Sequence, residues 1–136
     1  MSKRFTKSRK IRVAKIATRQ FLVTYGSIGV KVLASCKLTT QQIESARTVI
    51  VRTCQRKGQI FIRTKAKFSV SKKPLGVRMG GGKGGIDHYV DAVPSGTVIF
   101  ELDNVPLDLA KKALEKATYK LGVPCSVVYR HFAKIS

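Results

Sequence analysis

"TVIFELDNVPLDLAKKALEKATYKLGVPCSVVYRHF", residues 97–132, changes its hydrophobic period twice. "TVIFELD" is rich in β-branched and aromatic residues and reads as a strand. From Leu107 the apolar residues recur at spacings of three and four. Leu107, Ala110, Leu114, Ala117 and Leu121 make the stripe of an amphipathic helix. Asn104 is read as its N-cap, Pro106 lies near its first turn, and Gly122 ends it. Lys111, Lys112, Glu115 and Lys116 form a mixed-charge outer face. "PCSVVYRHF" then returns to a strand. One buried helix face between two strands predicts a helix layer packed on a sheet.

The remainder of the chain extends this pattern. "LTTQQIESARTVIVRTCQRKG", residues 38–58, is a second helix, with a capping box at Thr39 and Gln42 and Gly58 in the C′ position. Its apolar stripe is Ile43, Ala46, Ile50 and Cys54, and Arg52 and Arg56 lie opposite. "SIGVKVLASCKL" reads as one strand, with Val30 and Val32 alternating against Lys31. "QIFIRTK" is a strand, as is "IDHYVDAV", which "PSG" joins to "TVIFELD". The order is β-α-β-β-β-α-β, an α+β fold in a single layered domain over residues 28–136. Residues 1–27 form a basic N-terminal arm, and residues 66–85 a long connection without regular structure.

Charge is strongly segregated along the chain. Residues 1–86 carry 21 Lys or Arg against one acid, Glu44, so the whole net charge of +20 lies there. Residues 87–136 hold six bases and six acids and are neutral. A field this strong repels itself and calls for a polyanion, nucleic acid before an anionic membrane. No apolar run reaches the ~20 residues of a spanning helix. Cys36, Cys54 and Cys125 are widely spaced, form no C-x-x-C pair and make no ligand cluster with His88 and His131. They read as buried free thiols, and no metal or cofactor is expected. The arm also has the Arg- and Ser-bearing composition of an organelle transit peptide, but with Met1 in place a retained arm, ordered by something negative, is expected.

"KKPLGVRMGGGKGG", residues 72–85, places five glycines in its last six positions. Gly80, Gly82 and Gly85 match G-x-G-x-x-G, yet the strand "IDHYVDAV" follows where a dinucleotide fold needs a helix N-terminus. A P-loop is excluded too, because Gly84 follows Lys83 where Ser or Thr is required. A connection of this length is usually functional. This one carries Lys67, Lys72, Lys73, Arg78 and Lys83 and no acid. No Ser-His-Asp, Cys-His or metal signature stands out, so no enzyme and no small-molecule substrate is expected.

Five stretches, in order, resemble one family. "YGSIGVK" through Gly26, Gly29 and Lys31, "LTTQQIESAR" through Leu38, Thr39, Gln42 and Arg47, and "KGQIFIR" through Gly58, Ile60, Ile62 and Arg63 are the first three. "KKPLGVRMGGGKG" through Lys73, Pro74, Arg78, Met79, Gly80 and Lys83, and "FELDNVP" through Glu101, Asp103 and Pro106, complete the set. The chain resembles the bacterial-type large-subunit ribosomal proteins L-sixteen, with their archaeal and eukaryotic L-ten-e relatives.

The resemblance implies a structural protein of the large ribosomal subunit, partnered by large-subunit rRNA, aminoacyl-site tRNA and neighbouring ribosomal proteins. A free-standing basic nucleic-acid-binding protein is the alternative. Expected on rRNA are Lys3, Arg4, Lys7, Arg9, Lys10, Arg12, Lys15 and Arg19 of the arm. Arg47, Arg52, Arg56, Arg63, Lys72 and Lys73 are expected there from the domain. Arg78, Met79, Gly80, Gly81, Gly82, Lys83 and Gly84 are expected to point toward the tRNA site near the peptidyl-transferase region. Two features depart from the family. Gly81 stands where a basic residue is common, and "VAKIATRQFLVT" is more apolar than the family's basic, glycine-bearing arm. These departures favour a mitochondrion-encoded copy on a mitochondrial ribosome, with bacterial cytoplasm and plastid as alternatives.

Overall fold

The computed structural model describes residues 7–131. The elements run β1 (Ile28–Val32), β2 (Cys36–Thr39), α1 (Thr40–Thr53), β3 (Gln59–Ile62), β4 (Phe68–Lys72), β5 (Gly85–Val93), β6 (Val98–Asp103), α2 (Leu107–Leu121) and β7 (Cys125–Tyr129). They form two antiparallel sheets, one of four strands in the order β3-β6-β1-β7 and one of three in the order β2-β5-β4. The two helices pack on each other, with α2 also against β1 and β7. The class is α+β, as expected.

The expected order lacked two strands. "SIGVKVLASCKL" does not form one strand but turns a corner between the sheets, β1 entering the larger and β2 the smaller. The corner is held by Ser35. Its hydroxyl lies 2.9 Å from the carbonyls of both Ala14 and Lys15 and accepts from the Ser95 N–H at 3.1 Å. The connection over 66–85 contains β4, and Gly85 already belongs to β5, so only residues 66–67 and 73–84 are irregular. Ser69 and Ser71 disguise the alternation of "FSVSK". Ser69 is a buried polar residue whose N–H donates to Ser8 Oγ.

Helix ends differ from expectation at two points. α1 has its capping box, with Thr39 Oγ1 accepting from Gln42 N–H at 3.2 Å and Gln42 Oε1 accepting from Thr39 N–H at 2.9 Å. It ends at Thr53, however, with Cys54 as C-cap, and Gln55 and Arg56 take left-handed conformations in place of the expected Gly58. Gly58, beyond them, also takes a left-handed φ of 80° and lies in close approach, since a Cβ there would be 2.6 Å from the Asp103 carbonyl oxygen. α2 starts at Pro106 without a side-chain cap, because Asn104 adopts φ 58° and is spent on the turn out of β6. Gly122 ends α2 as expected, at φ 69°.

The core lies between the helices and one face of the four-stranded sheet. Ile43, Ala46, Ile50 and Cys54 of the first helical segment meet Ala110, Ala113, Leu114, Ala117 and Leu121 of α2. Ile28, Val30, Val32, Phe100 and Leu102 close the core from below. Ala110, Leu114, Ala117 and Leu121 of the expected α2 stripe are buried, but Leu107 at its start is exposed and Ala113 joins the buried face instead. Each fully buried leucine or isoleucine contributes about 1.5–3 kcal/mol.

The opposite face of this sheet is covered by the end of the arm. Gly29 and Glu101 are cross-strand partners whose side-chain directions oppose the core residues beside them. Residues 20–27 lie over them. Gln20 O accepts from Val98 N–H at 2.8 Å and Leu102 O accepts from Ser27 N–H at 2.9 Å. A Cβ on Gly26 would stand 2.4 Å from Leu102 O, so only glycine fits. Further up the arm, Ala17 N–H donates to Ser95 O at 2.8 Å.

Glu101 fixes this cover. Its carboxylate is fully buried and accepts from the N–H groups of Thr24 (3.2 Å), Tyr25 (2.6 Å) and Gly26 (2.9 Å). It also pairs with the Arg63 guanidinium at 2.6 Å. Burial alone would raise its pKa, but the three N–H groups and Arg63 outweigh burial and hold the carboxyl below its ordinary value. The folded pKa therefore lies under the unfolded one. The stabilisation is complete above the ordinary carboxylate pKa and is lost as pH falls through the lower folded value. We expect Glu101→Gln to destabilise the chain by roughly 3–5 kcal/mol at neutral pH. Denaturant titrations should also show a smaller loss of stability in acid for this variant than for the parent. Equal stability of the two at pH 7 would refute the anchor.

Candidate nucleic-acid interface

The arm and the glycine loop come together at the base of the β4–β5 hairpin. Ser8 N–H donates to Ser69 Oγ at 3.0 Å and Ser8 Oγ accepts from Ser69 N–H at 3.2 Å. The Lys7 ammonium donates to Lys83 O at 2.8 Å, and the Lys83 ammonium in turn donates to Ser8 O. Two cations thus meet on backbone carbonyls, with no acid pairing either of them among the described residues. Arg9, Lys10, Arg12, Lys15 and Arg19 are all exposed along the same arm. Lys3 and Arg4 lie outside the described residues.

Beyond this junction the loop stands free of the domain. Lys73 Nζ donates to Gly80 O at 2.6 Å across its neck. Gly80, Gly81 and Gly82 have φ of 104°, 73° and 91°, and a Cβ on any of them would meet nothing within 4 Å. They are therefore required by backbone conformation and not by crowding within this chain. Gly84 is different, since its Cβ would come 2.7 Å from the Lys72 carbonyl. Met79 and Leu75 are fully exposed and Arg78 is exposed beside them. The tip thus presents apolar and cationic side chains together to solvent.

A second basic surface lies on α1. Arg47, Arg52 and Arg56 line one groove with Val51. Arg47 forks onto Glu44, its Nε 3.0 Å from both carboxylate oxygens. That hydrogen bond and the charge of Arg47 hold Glu44 below the usual carboxylate range. Arg52 and Arg56 are exposed and have no ion-pair partner among the described residues. Arg63, also expected on rRNA, turns inward. Its side chain is 11% exposed and its charge is met by Glu101. The Arg63 guanidinium sits 5.5 Å from the Tyr25 ring centroid.

No group of three metal-ligating side chains occurs among the described residues. Cys54 is buried and Cys36 and Cys125 are half-buried, all as free thiols. Burial raises all three thiols, Cys125 to about 11 with a further contribution from Cys36, so none is a ready nucleophile at neutral pH. What the surface offers is ammonium, guanidinium and backbone N–H groups in a chain with few acids. These bind phosphates and position a polyanion. The sequence reading missed Glu101 as the organiser of this surface. Its signal was present, as a lone acid within the apolar run "TVIFEL". The stacking of exposed Tyr25 on half-buried Phe61 had no sequence signal, because the two are 36 positions apart.

Fold and surface together define a small, strongly basic α+β domain. The model of the family described as ribosomal protein L16p/L10e matches residues 1–128, and the chain belongs to that family. Large ribosomal subunit protein uL16c of Cyanidium caldarium is 41% identical over 98% of this chain and 99% of its own length. Large ribosomal subunit protein uL16 of Orientia tsutsugamushi is 41% identical over 94% of each chain. That of Agathobacter rectalis is 41% identical over 96% of this chain and 91% of its own.

The two arginine environments make a contrast that can be measured. Arg63→Ala leaves the Glu101 carboxylate buried without its cation and should cost roughly 3–5 kcal/mol of stability. Arg56→Ala should change stability by no more than about 0.5 kcal/mol, as for other surface substitutions, while weakening RNA binding. Chemical denaturation alongside a filter-binding assay tests both, and similar stability losses for the two variants would contradict the assignment.

Proposed function

We propose that this chain is a structural constituent of the large ribosomal subunit, held there by large-subunit rRNA. The carrying observation is the family match across residues 1–128 in a chain whose first 86 residues bear 21 cations and one acid. The three relatives are large-ribosomal-subunit proteins by name. In this reading residues 1–27 act as an RNA-binding arm on a domain spanning 28–136. The arm, the junction at Lys7 and Lys83, and the α1 groove carry the rRNA contacts. Lys72 and Lys73 brace the root of the loop. Arg63 serves indirectly, by fixing the cover over the sheet.

The loop between β4 and β5 is assigned the reach toward the aminoacyl-tRNA site. Support comes from its tip, where Arg78 and Met79 project without an intramolecular partner and bare backbone at Gly80–Gly82 leaves N–H groups open to phosphates. The chain performs no chemistry itself. Its effect on peptide-bond formation passes through RNA and tRNA geometry. The compartment favoured is a mitochondrial ribosome, supported by the apolar character of "VAKIATRQFLVT". The plastid or bacterial alternative fits the relatives named above, and cell fractionation of a tagged chain decides between them.

Cosedimentation of the tagged chain with large subunits through a high-salt gradient tests the assignment. Release as a free basic protein would favour a nucleic-acid-binding role outside the ribosome. With several phosphate contacts at about −0.7 to −0.9 each, the slope of log K against log salt on rRNA should be steeper than about −3. Removing residues 76–82 should leave the melting temperature within a few degrees of the parent, because the hairpin register from Gly84 and Gly85 onward is kept. Reconstituted subunits carrying the deletion should bind aminoacyl-site tRNA more weakly. Arg78→Ala should act in the same direction, by about 1.5–3 kcal/mol at most. Normal tRNA binding by the deletion would remove the loop from that site.

A further inference from the structure

Along the β3 edge of the larger sheet, cations and aromatic rings form one continuous track. The groove lined by Arg47 and Arg56 on α1 runs into a second depression beside β3, which shares both residues and adds Lys57, Ile60 and Ile62. Ile60 and Ile62 also line the next depression, which ends at Tyr25 and Phe61. β3 is an edge strand, hydrogen-bonded only to β6 within its sheet.

The far end of this track is a platform. The Tyr25 and Phe61 rings stack with centroids 5.6 Å apart at 28°. Phe61 is half-buried, while Tyr25 is 59% exposed. Tyr25 is not loosely held, since its own N–H donates to Glu101 at 2.6 Å. A large ring is thus fixed by the core with much of its surface turned to water. At the other end Arg56 stands at φ 61°, next to Gln55 at φ 53°. Left-handed backbone costs a residue with a Cβ roughly 1–2 kcal/mol. Glycine would fill such a position with less strain, yet a guanidinium is presented there.

We infer that this edge takes an unpaired stretch of RNA, its phosphates against Arg52 and Arg56 and one base stacked on the exposed part of the Tyr25 ring, beside the Arg63 guanidinium 5.5 Å from the ring centroid. The inference rests on the chain being an RNA-binding protein. A cationic groove leading to a fixed aromatic face is the arrangement that binds single strands, because only an unpaired base exposes a face to stack. A duplex could satisfy the arginines but would leave Tyr25 in water. The charge favours nucleic acid over a protein strand added to β3. The single acid of the α1 surface, Glu44, is already bound to Arg47.

The test uses the full chain and two fluorescein-labelled RNAs of equal length, a uridine oligomer of about ten nucleotides and a blunt duplex. Fluorescence anisotropy at fixed salt gives both affinities. Tyr25→Leu keeps apolar cover over Phe61 but removes the π face, and Tyr25→Phe keeps it. Melting temperatures confirm that both variants fold. Tyr25→Leu should weaken the oligomer about 5- to 150-fold, the loss of one base stack, with duplex binding within twofold of the parent. Tyr25→Phe should bind both like the parent, and Arg56→Ala should weaken both. Unchanged oligomer affinity in Tyr25→Leu overturns the inference while leaving the ribosomal role intact. So does unchanged RNA binding joined to failed incorporation into large subunits, which would give the platform to a neighbouring protein. Failure of the parent chain to bind either RNA would overturn the RNA-binding role itself.

Discussion

The carboxylate of Glu101 has no access to water and must be satisfied from within the protein. An isolated buried carboxylate would cost several kcal/mol, and the chain meets that cost with three successive backbone N–H groups and one guanidinium. Those donors belong to the end of the arm and to the residue just after β3. One interaction therefore ties the arm to the sheet's second face, fixes the edge beside β3 and orients Tyr25. Gly26 follows from the same contact, because the cover lies too close to β6 for a side chain, whereas a Cβ on Gly29 would stand 2.8 Å from the Phe100 carbonyl oxygen of the neighbouring strand.

This anchor explains how so basic a chain folds around the neutral residues 87–136. Six of the seven acids lie beyond residue 86. Glu101 is the one fully buried among them, and it neutralises a cation that would otherwise add to the repulsive field. Most other cations on the arm, loop and α1 are left at the surface. Surface charges left unpaired destabilise the compact state and favour binding to a polyanion. The helix layer, with its apolar stripes and mixed-charge α2, supplies the stability against which that repulsion acts.

The glycine loop and the arm illustrate two uses of irregular backbone. A Cβ on Gly80, Gly81 or Gly82 would meet nothing among the described residues, so their freedom is spent on conformation at an exposed tip. Gly84 is packed on Lys72 and belongs to the hairpin. Only the tip is available to a partner, and the root is part of the sheet. The meeting of Lys7 and Lys83 at that root joins arm and loop into one cationic surface, although their positions are 76 apart.

Both helices, the capping box at Thr39, the Gly122 stop and the strands from β5 to β7 were legible in the sequence, because each follows from local period or cap chemistry. Charge segregation was legible too, as it needs only counting. The corner at Ser35 was not, since a strand that changes sheets keeps its alternation and only distant carbonyls reveal the turn. β4 was hidden because Ser69, polar by type, is buried through its contact with Ser8. Arg63 had the composition of a surface cation, and only its pairing with Glu101 shows that it turns inward. The sequence by itself determined the layers, the basic half and the family. Which charges stay free, and which aromatic rings stand beside them, was decided by tertiary structure, because burial and pairing depend on residues brought together from tens of positions apart.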